Sequence, residues 1–341
     1  MSTPITNKPM QPHTLSAERD PMGAAILDYQ KEQRAGRLRV RSTMFEDDEM
    51  PVAHLFRNES EMPLLEQKAL SLARGRILDV GAGAGCHALA LQQRGMEVKA
   101  IDISPLSCEA MRLRGVRDVQ CTSLFSPLFS PSESACPVGF DTILLLMNGT
   151  GIAGKVSRLP MLLMRLRDLL AAGGQVLVDS SDLRYIYEDE EGHMDIDPKE
   201  PYYGEVDYQM VYKNLRGKTI EGDSFDWLYA DFGLLQSTAR ACAMGCELVA
   251  EGDHYELSGT PLARGLGIGR RKRKRPWPNE WRLRQTALRA PCHATAFPAC
   301  SCVWMKQPTQ CGASAFAAHC IVHRSVLHRA SQRSTFYPSP L

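Results

Sequence analysis

Residues 76–102, RILDVGAGAGCHALALQQRGMEVKAID, contain the pattern that decides the fold. An apolar strand, RILDV, turns through the glycine loop 81–85 directly into a helix that Gly95 ends. The next segment, EVKAID, reads as a second strand and ends in Asp102. A strand, a tight glycine turn, a helix and a second strand form a βαβ unit, which places two parallel strands side by side.

The same alternation continues downstream of this unit. PLSCEAMRLRG reads as a helix and VRDVQC as a third strand, and FDTILLLM is a continuous apolar run typical of a strand buried on both faces. A further helix spans about 158–171, and the strand QVLVD follows it. This order predicts an α/β fold with a doubly wound, mainly parallel sheet, in which ligands bind at the carboxyl ends of the strands.

The glycine loop suits either a dinucleotide or an adenosyl cofactor, because both need backbone N–H groups close to the ligand and an acid for the ribose. Two residues distinguish a dinucleotide site from a site for an adenosyl cofactor. Cys86 occupies the place of the third glycine in the dinucleotide fingerprint. Asp79, near the mouth of the loop, would repel a pyrophosphate and suits the amino group of a methionine moiety. The charge argument favours S-adenosylmethionine (SAM) over NAD.

ILDVGAGAGCHALAL with VKAIDIS resembles the first two motifs of the class I (Rossmann-like) SAM-dependent methyltransferases. FDTILLLMNGTG and LLAAGGQVLVDSSD resemble the fourth-strand and fifth-strand motifs of the same superfamily, and the likeness covers about 76–182, more loosely to 256. DPMGAAIL, MPVAHLFR and EMPLLEQKAL resemble the lead-in of an uncharacterised bacterial branch. The resemblance implies the fold, SAM as cofactor and methyl transfer by in-line displacement; it names no acceptor.

The resemblance also assigns roles to single residues. It implies that Asp79 and the loop hold the methionine end of SAM, that Asp102 binds the ribose hydroxyls and that Ile103 packs on the adenine. Ser123 stands where an acid that contacts the adenine amino group is common, and Asn148 ends the fourth strand, near SAM or the acceptor. The predicted cofactor-binding residues are therefore Asp79, Gly81, Ala82, Gly83, Gly85, Asp102, Ile103, Ser123 and Asn148.

The sequence gives less specific evidence about the methyl acceptor. The Asn/Asp-Pro-Pro-aromatic signature of amide-methylating relatives does not follow the fourth strand, so we predict no methylation of nucleobase amines or glutamine. Asp179 to Asp182 suit a binding rim or a helix cap. A tyrosine-rich, acidic insertion would attract a cationic or aromatic acceptor, or simply close the site. Its candidate residues are His193, Tyr202, Tyr203, Glu205 and Tyr208. The sequence identifies no catalytic base.

Charge divides the chain into two parts. The net charge is +1, but residues 258–341 hold 14 Lys+Arg and one acid. This break, together with the pattern, predicts a flexible leader (1–20), a helical lead-in (21–74), a SAM-binding domain (75–257) with an acidic insertion (183–222), and a basic Cys/Arg/Pro-rich tail (258–341). The tail lacks sustained periodicity, and we interpret it as disordered or as translated out of frame.

Composition narrows the remaining function classes. Hydrophobic residues make up 44% and charged residues 23%, as in soluble globular proteins, and no apolar run is long enough to span a membrane. The amino terminus shows no secretory pattern, which predicts a cytoplasmic protein, and cysteine spacing predicts no metal site. Two alternatives stay open: an NAD(P)-dependent oxidoreductase, and a non-catalytic protein that binds nucleic acid through the basic run 269–275.

Overall fold

The computed structural model of the chain describes residues 13–127, 129, 139–187, 201–251 and 301–306. Within these residues the α-helices are α1 (Pro21–Glu32), α2 (Leu64–Leu72), α3 (Cys86–Gln93), α4 (Pro105–Leu113), α5 (Leu159–Leu169) and α6 (Phe232–Ala241). The strands are β1 (Arg37–Arg41), β2 (Asp48–Glu49), β3 (Arg76–Val80), β4 (Glu97–Asp102), β5 (Asp118–Cys121), β6 (Phe140–Leu145), β7 (Leu170–Ser180), β8 (Glu205–Lys213), β9 (Thr219–Glu221), β10 (Phe225–Leu228), β11 (Gly245–Glu251) and β12 (Ser301–Lys306).

A seven-stranded sheet in the order β11-β12-β7-β6-β3-β4-β5 forms the centre of the fold. Strands β7, β6, β3, β4 and β5 run parallel, and β12 runs antiparallel to both of its neighbours. The doubly wound, mainly parallel α/β class predicted from the sequence is therefore confirmed. The parallel register brings the carboxyl ends of β3, β4, β5 and β6 to one edge of the sheet.

Alternate residues of the central strands are buried in different core clusters. Leu78 of β3 and Ile143 of β6 pack with residues of α5 and α6. Ile77 and Leu144, their neighbours along the same strands, pack with residues of α2, α3 and α4. Side chains alternate between the two faces of a strand, so both faces of this sheet are covered by helices. This double cover explains why residues 143–147 of this segment, ILLLM, are apolar without interruption.

The predicted lead-in and insertion combine in a second sheet, in the order β10-β8-β1-β2 with β9 also on β8. The lead-in was predicted to be helical, but β1 interrupts it and pairs with β8, Arg37 opposite Lys213. A hairpin forms between β8 and β9, with Val211 opposite Glu221. The sequence around β1 did not reveal a strand because its pairing partner lies far away along the chain.

The described part of the predicted leader, residues 13–20, makes specific contacts. The Leu15 N–H donates to the carbonyl oxygen of Ile103 at 2.8 Å. Asp20 is buried, caps α1 through the Gly23 N–H at 2.8 Å and accepts from the Ser104 hydroxyl at 2.5 Å. This end of the leader is therefore attached to the carboxyl end of β4.

The predicted tail also contributes to the sheet. Its described residues, 301–306, form β12, which inserts between β7 and β11 with Met305 fully buried. These six residues look unremarkable within a Cys- and Pro-rich segment, and only the two flanking strands give them partners. The rest of the tail, including the basic run 269–275, lies outside the described residues.

Candidate functional site

The glycine loop between β3 and α3 has a backbone that favours glycine at three positions. Gly81, Gly83 and Gly85 have φ angles of +67°, +55° and +79°. The N–H groups of Gly81 and Ala82 donate to the carbonyl oxygen of Ile101 at 2.9 and 3.1 Å, which ties the loop to β4. Side chains with a Cβ rarely adopt these angles, so the alternate glycines are a requirement of the turn itself.

Asp102, at the end of β4, lies against this loop. Its Oδ2 accepts a hydrogen bond from the Gly83 N–H and its Oδ1 from the Ser104 N–H, both at 2.8 Å. Burial raises the pKa of Asp102 to about 6, and these two backbone donors only partly offset that effect. The structure thus brings together Gly83 and Asp102, two of the predicted cofactor residues.

Asp79 is 3% exposed, and its Oδ2 has no hydrogen-bond partner among the described residues. Burial raises the pKa of Asp79, while the nearby His87 and the Ala88 N–H act in the opposite direction. A buried, unsatisfied carboxylate oxygen is costly, and a cationic donor would relieve that cost. The α-amino group of a bound methionine moiety is such a donor.

The loop also leaves room for a ligand. A Cβ built on Gly83 would lie 4.0 Å from the Gly81 carbonyl oxygen, and no other described atom outside its chain neighbours is closer. Ile103, the residue predicted to pack on the adenine, is 41% exposed at the same edge of the sheet. Open space at Gly83, the unsatisfied Oδ2 of Asp79 and an exposed apolar side chain fit the three chemical parts of SAM.

Ser123 is buried, and its hydroxyl oxygen accepts a hydrogen bond from the Phe125 N–H at 3.2 Å. Its side chain therefore shapes the turn after β5. Contact between Ser123 and the adenine stays a prediction.

Asn148 follows β6 and lies at the acceptor side of the edge. Both Met147 and Asn148 have left-handed backbone conformations, with φ of 60° and 58°. The Asn148 N–H donates to the Asp179 carboxylate at 2.9 and 3.0 Å, and its Oδ1 accepts from the Ser181 hydroxyl at 2.6 Å. Two successive non-glycine residues in this region are strained, and Asp179, near the end of β7, and Ser181, just after it, hold Asn148 in place. Asp179 and Ser181, which the sequence places in a binding rim or a helix cap, therefore stabilise this turn.

A second cluster on this side contains Tyr202 and Tyr203, whose hydroxyls donate to the Asp231 carboxylate at 2.5 and 2.9 Å. Burial opposes ionisation of Asp231, but the two phenols and backbone amides outweigh it and lower its pKa. The two rings are tilted by 40° with centroids 4.3 Å apart, and Tyr187 meets Tyr203 edge-on at 6.3 Å. This cluster presents aromatic surface beside a carboxylate.

The other predicted acceptor residues have different positions. Tyr208 is buried and shares a hydrogen bond of 3.0 Å with the Tyr229 hydroxyl, so it belongs to the core rather than to an accessible lid. The Glu205 carboxylate accepts from the Val156 N–H at 2.8 Å and fixes a loop. His193 lies outside the described residues.

Sequence reasoning missed the side chains that hold the loop from behind. Arg114, after α4, donates to the Ala84 carbonyl oxygen at 2.6 Å, and its guanidinium lies 4.6 Å from the centre of the Phe56 ring. Arg57, Glu66 and His87 form a buried charged group next to α3. Arg114 resembles an ordinary basic residue at a helix end, and no spacing in the sequence connects Glu66 with His87.

Comparisons with solved structures bear on this site. A SAM-dependent methyltransferase from Bacteroides fragilis, crystallised with S-adenosyl-L-homocysteine, is 51% identical to this chain. The match covers 72% of this chain and 96% of that one, with a TM-score of 0.65. The CcbJ methyltransferase from Streptomyces caelestis is 13% identical, with coverages of 86% and 100% and a TM-score of 0.47.

A SAM-dependent methyltransferase from Clostridium acetobutylicum is also 13% identical, with coverages of 75% and 97% and a TM-score of 0.44. No protein-family profile matches the chain, and no curated protein sequence matches it. In the part of the chain that the structure describes, every helix is too short or too polar to cross a membrane.

Proposed function

The chain belongs to the SAM-dependent methyltransferases, and we propose that it transfers a methyl group from SAM by in-line displacement to a small-molecule acceptor. The observation that carries this proposal is the 51% identity to a methyltransferase crystallised with S-adenosyl-L-homocysteine, over 96% of that protein. Neither the described contacts nor the similar structures favour a dehydrogenase or a nucleic-acid-binding protein.

The residues of the glycine loop and of the end of β4 fit the parts of SAM in their order along the chain. Asp79 and the loop Gly81–Gly85 would hold the methionine end, Asp102 the ribose and Ile103 the adenine. When bound, SAM supplies an electrophilic methyl group on a sulfonium that is a good leaving group. The contribution of the protein is to fix the direction of approach and to exclude water, because alignment lowers the barrier of such a displacement.

The residues on the other side of the predicted methyl group favour an aromatic or cationic acceptor. Tyr202 and Tyr203 are half-buried and polarised by the ionised Asp231, which increases the attraction of their rings for positive charge. The strained turn at Met147 and Asn148 lies at the end of β6, where the fold presents the methyl group to the acceptor. We propose that this turn and the tyrosine cluster form the two sides of the acceptor site.

The direct test is to incubate the purified full-length protein with SAM and separate pools of amines, phenols and neutral aliphatic alcohols. S-adenosyl-L-homocysteine release and mass spectrometry of the products would be followed. We expect release with an amine or phenol pool, and none with the Gly83→Val variant. Binding of S-adenosyl-L-homocysteine without turnover in any pool would contradict the acceptor class; failure to bind it would contradict the cofactor.

A further inference from the structure

A buried group of three charged side chains lies against the first turn of α3. The Glu66 carboxylate accepts from His87 Nε2 at 2.6 Å and from the guanidinium of Arg57. Another nitrogen of Arg57 donates to the His54 carbonyl oxygen at 2.6 Å. Arg57, Glu66 and His87 are each no more than 9% exposed. Burying charge is expensive even when the charges are paired, so the position of these three has to be explained.

His87 occupies a place that disfavours a positive charge. It is the second residue of α3, where the helix dipole is positive. Burial by itself lowers the pKa of His87, but the negative charge of the Cys86 thiolate, its hydrogen bond to the imidazole and the Glu66 carboxylate outweigh burial and hold the pKa well above its usual value. Glu66 stays ionised in turn: burial raises its pKa, and His87 and Arg57 more than offset that rise. The network therefore maintains an imidazolium directly after the glycine loop.

The residue that benefits from this charge is Asp79. Burial raises the pKa of Asp79, and the imidazolium of His87 is the largest factor that limits this rise. The Ala88 N–H, next to His87 in the chain, also favours the carboxylate, while Oδ2 has no hydrogen-bond partner among the described residues. A neutral Asp79 would offer the cofactor's ammonium group a much weaker partner than a carboxylate does.

We propose that Arg57, Glu66 and His87 form a positioning network that keeps Asp79 ionised and ready for the ammonium group of the cofactor. None of the three needs to touch the cofactor; His87 acts through Asp79, and Glu66 and Arg57 act through His87. The inference rests on the proposed function, and specifically on the predicted contact between Asp79 and the methionine end of SAM.

Other titratable groups near Asp79 and His87 set the conditions of the test. Among the described residues, Glu66, Cys86 and Asp102 interact with Asp79 or His87 directly. Arg57 and Arg114 interact with Cys86 or Glu66, and Asp20, Cys108 and Cys121 interact with Asp102. Because the pKa of Asp102 is about 6, most of its own titration lies below pH 7. Binding is therefore measured between pH 7 and pH 8.

The experiment is calorimetric titration of the full-length protein with S-adenosyl-L-homocysteine in buffers of different ionisation enthalpy, which counts protons exchanged on binding. We expect the wild type to bind with almost no proton exchange at pH 7. His87→Gln, which removes the cation, should release a proton as Asp79 ionises. Its affinity should be about tenfold weaker at pH 7 than at pH 8. Glu66→Gln should change in the same direction by less.

Glu59→Gln is the matched control, because Glu59 lies in the same lead-in as Glu66 and pairs with Arg94, after α3, at a more exposed position. It should behave as the wild type. A folded His87→Gln variant with the wild-type proton count and pH profile would overturn the proposal. If neither network variant folds, the proton count of the wild type alone tests the proposal. Release of a whole proton at pH 7 would show that Asp79 is neutral before binding and would overturn the proposal.

Asp79→Asn separates this inference from its premise. If Asp79→Asn binds S-adenosyl-L-homocysteine as tightly as the wild type, Asp79 does not contact the amino group and the network has nothing to act on. Wild-type protein that fails to bind S-adenosyl-L-homocysteine contradicts the proposed function instead.

Discussion

The cofactor edge of the sheet consists of the glycine loop and Asp102, and the acceptor edge consists of the turn after β6 and the cluster of Tyr202, Tyr203 and Asp231. The two edges are built in different ways. The contact between Gly83 and Asp102 joins residues 19 positions apart, within one βαβ unit. On the acceptor side, Thr150 donates to the carbonyl oxygen of Leu228, 78 residues later. In the second sheet, Tyr212 donates to Asp28, 184 residues earlier. One edge is made by a contiguous stretch, and the other is assembled from distant ones.

This difference affects what each edge can tolerate. Local contacts form with little loss of chain entropy, so a motif of this kind can be recognised and kept as a unit. An assembled edge depends on packing between elements that have no sequence relation to each other. We therefore expect substitutions at the cofactor edge to change binding first, and substitutions at the assembled side to change stability or turnover first.

The largest effect should come from the strand that the tail contributes. Truncation after Ser258 removes β12, which exposes the edge of β7 and leaves the space of Met305 empty. We expect an insoluble or unfolded product, because an unpaired central edge aggregates. Truncation after Lys306 keeps β12 and should stay soluble. Size-exclusion chromatography of both products measures this, and a soluble, SAM-binding product ending at Ser258 would show that β12 is dispensable.

Next in size is the loss of cofactor binding in Gly83→Val. The φ of +55° resists a β-branched side chain, and the open space beside Gly83 would be filled. Gly95→Val is the matched control, since Gly95 has a φ of +81° and open space but lies past the end of α3. Calorimetry with S-adenosyl-L-homocysteine should show no binding for the first variant and normal binding for the second. Tight binding by Gly83→Val would remove the loop from the cofactor site.

Asp102→Ala should weaken cofactor binding by about 1–3 kcal/mol through loss of charge-assisted hydrogen bonds. Asp102→Asn keeps an acceptor for one backbone donor and should lose less stability. Asp118→Asn, at the amino end of the neighbouring strand and paired with Lys99, is the control. Equal affinities of Asp102→Ala and the wild type, measured by calorimetry, would contradict the ribose assignment.

The pH dependence of Asp102 has opposite signs for binding and for stability. Its pKa in the folded protein is about 6, above the value of about 3.9 expected in an unfolded chain. As pH falls from 6 towards 4, the folded state takes up a proton first, so this group adds stability. Affinity for S-adenosyl-L-homocysteine should fall over the same range, by at most about tenfold per pH unit. Asp102→Asn should lack this contribution in both calorimetry and thermal denaturation.

The smallest effect is expected from Ser181→Ala. It removes the 2.6 Å hydrogen bond that supports Asn148, at a cost of about 1 kcal/mol in stability. Turnover should decrease, while affinity for S-adenosyl-L-homocysteine stays unchanged. Ser237→Ala, which loses an exposed bond within α6, serves as the comparison. A change in cofactor affinity instead of turnover would place Asn148 on the cofactor side.

The sequence by itself determined the α/β class, the parallel order around β3 and β4 and the choice of Gly83 and Asp102 as candidate cofactor residues. These features follow from periodicity and turn chemistry within about thirty residues, where local rules are strong. Cys86 and Asp79 were sufficient to favour SAM over NAD, and the resemblance of whole motifs supported that choice.

Tertiary structure alone decided the remaining features. It decided that β1 pairs with β8, that β12 enters the sheet, that Tyr208 is buried and that Glu66 reaches His87. Each of these contacts joins residues whose meeting depends on how other elements pack, and a charged residue that is destined for a buried partner looks the same in sequence as one on the surface. Charge pairing in the interior is a property of the folded environment, which supplies both the low dielectric and the partner.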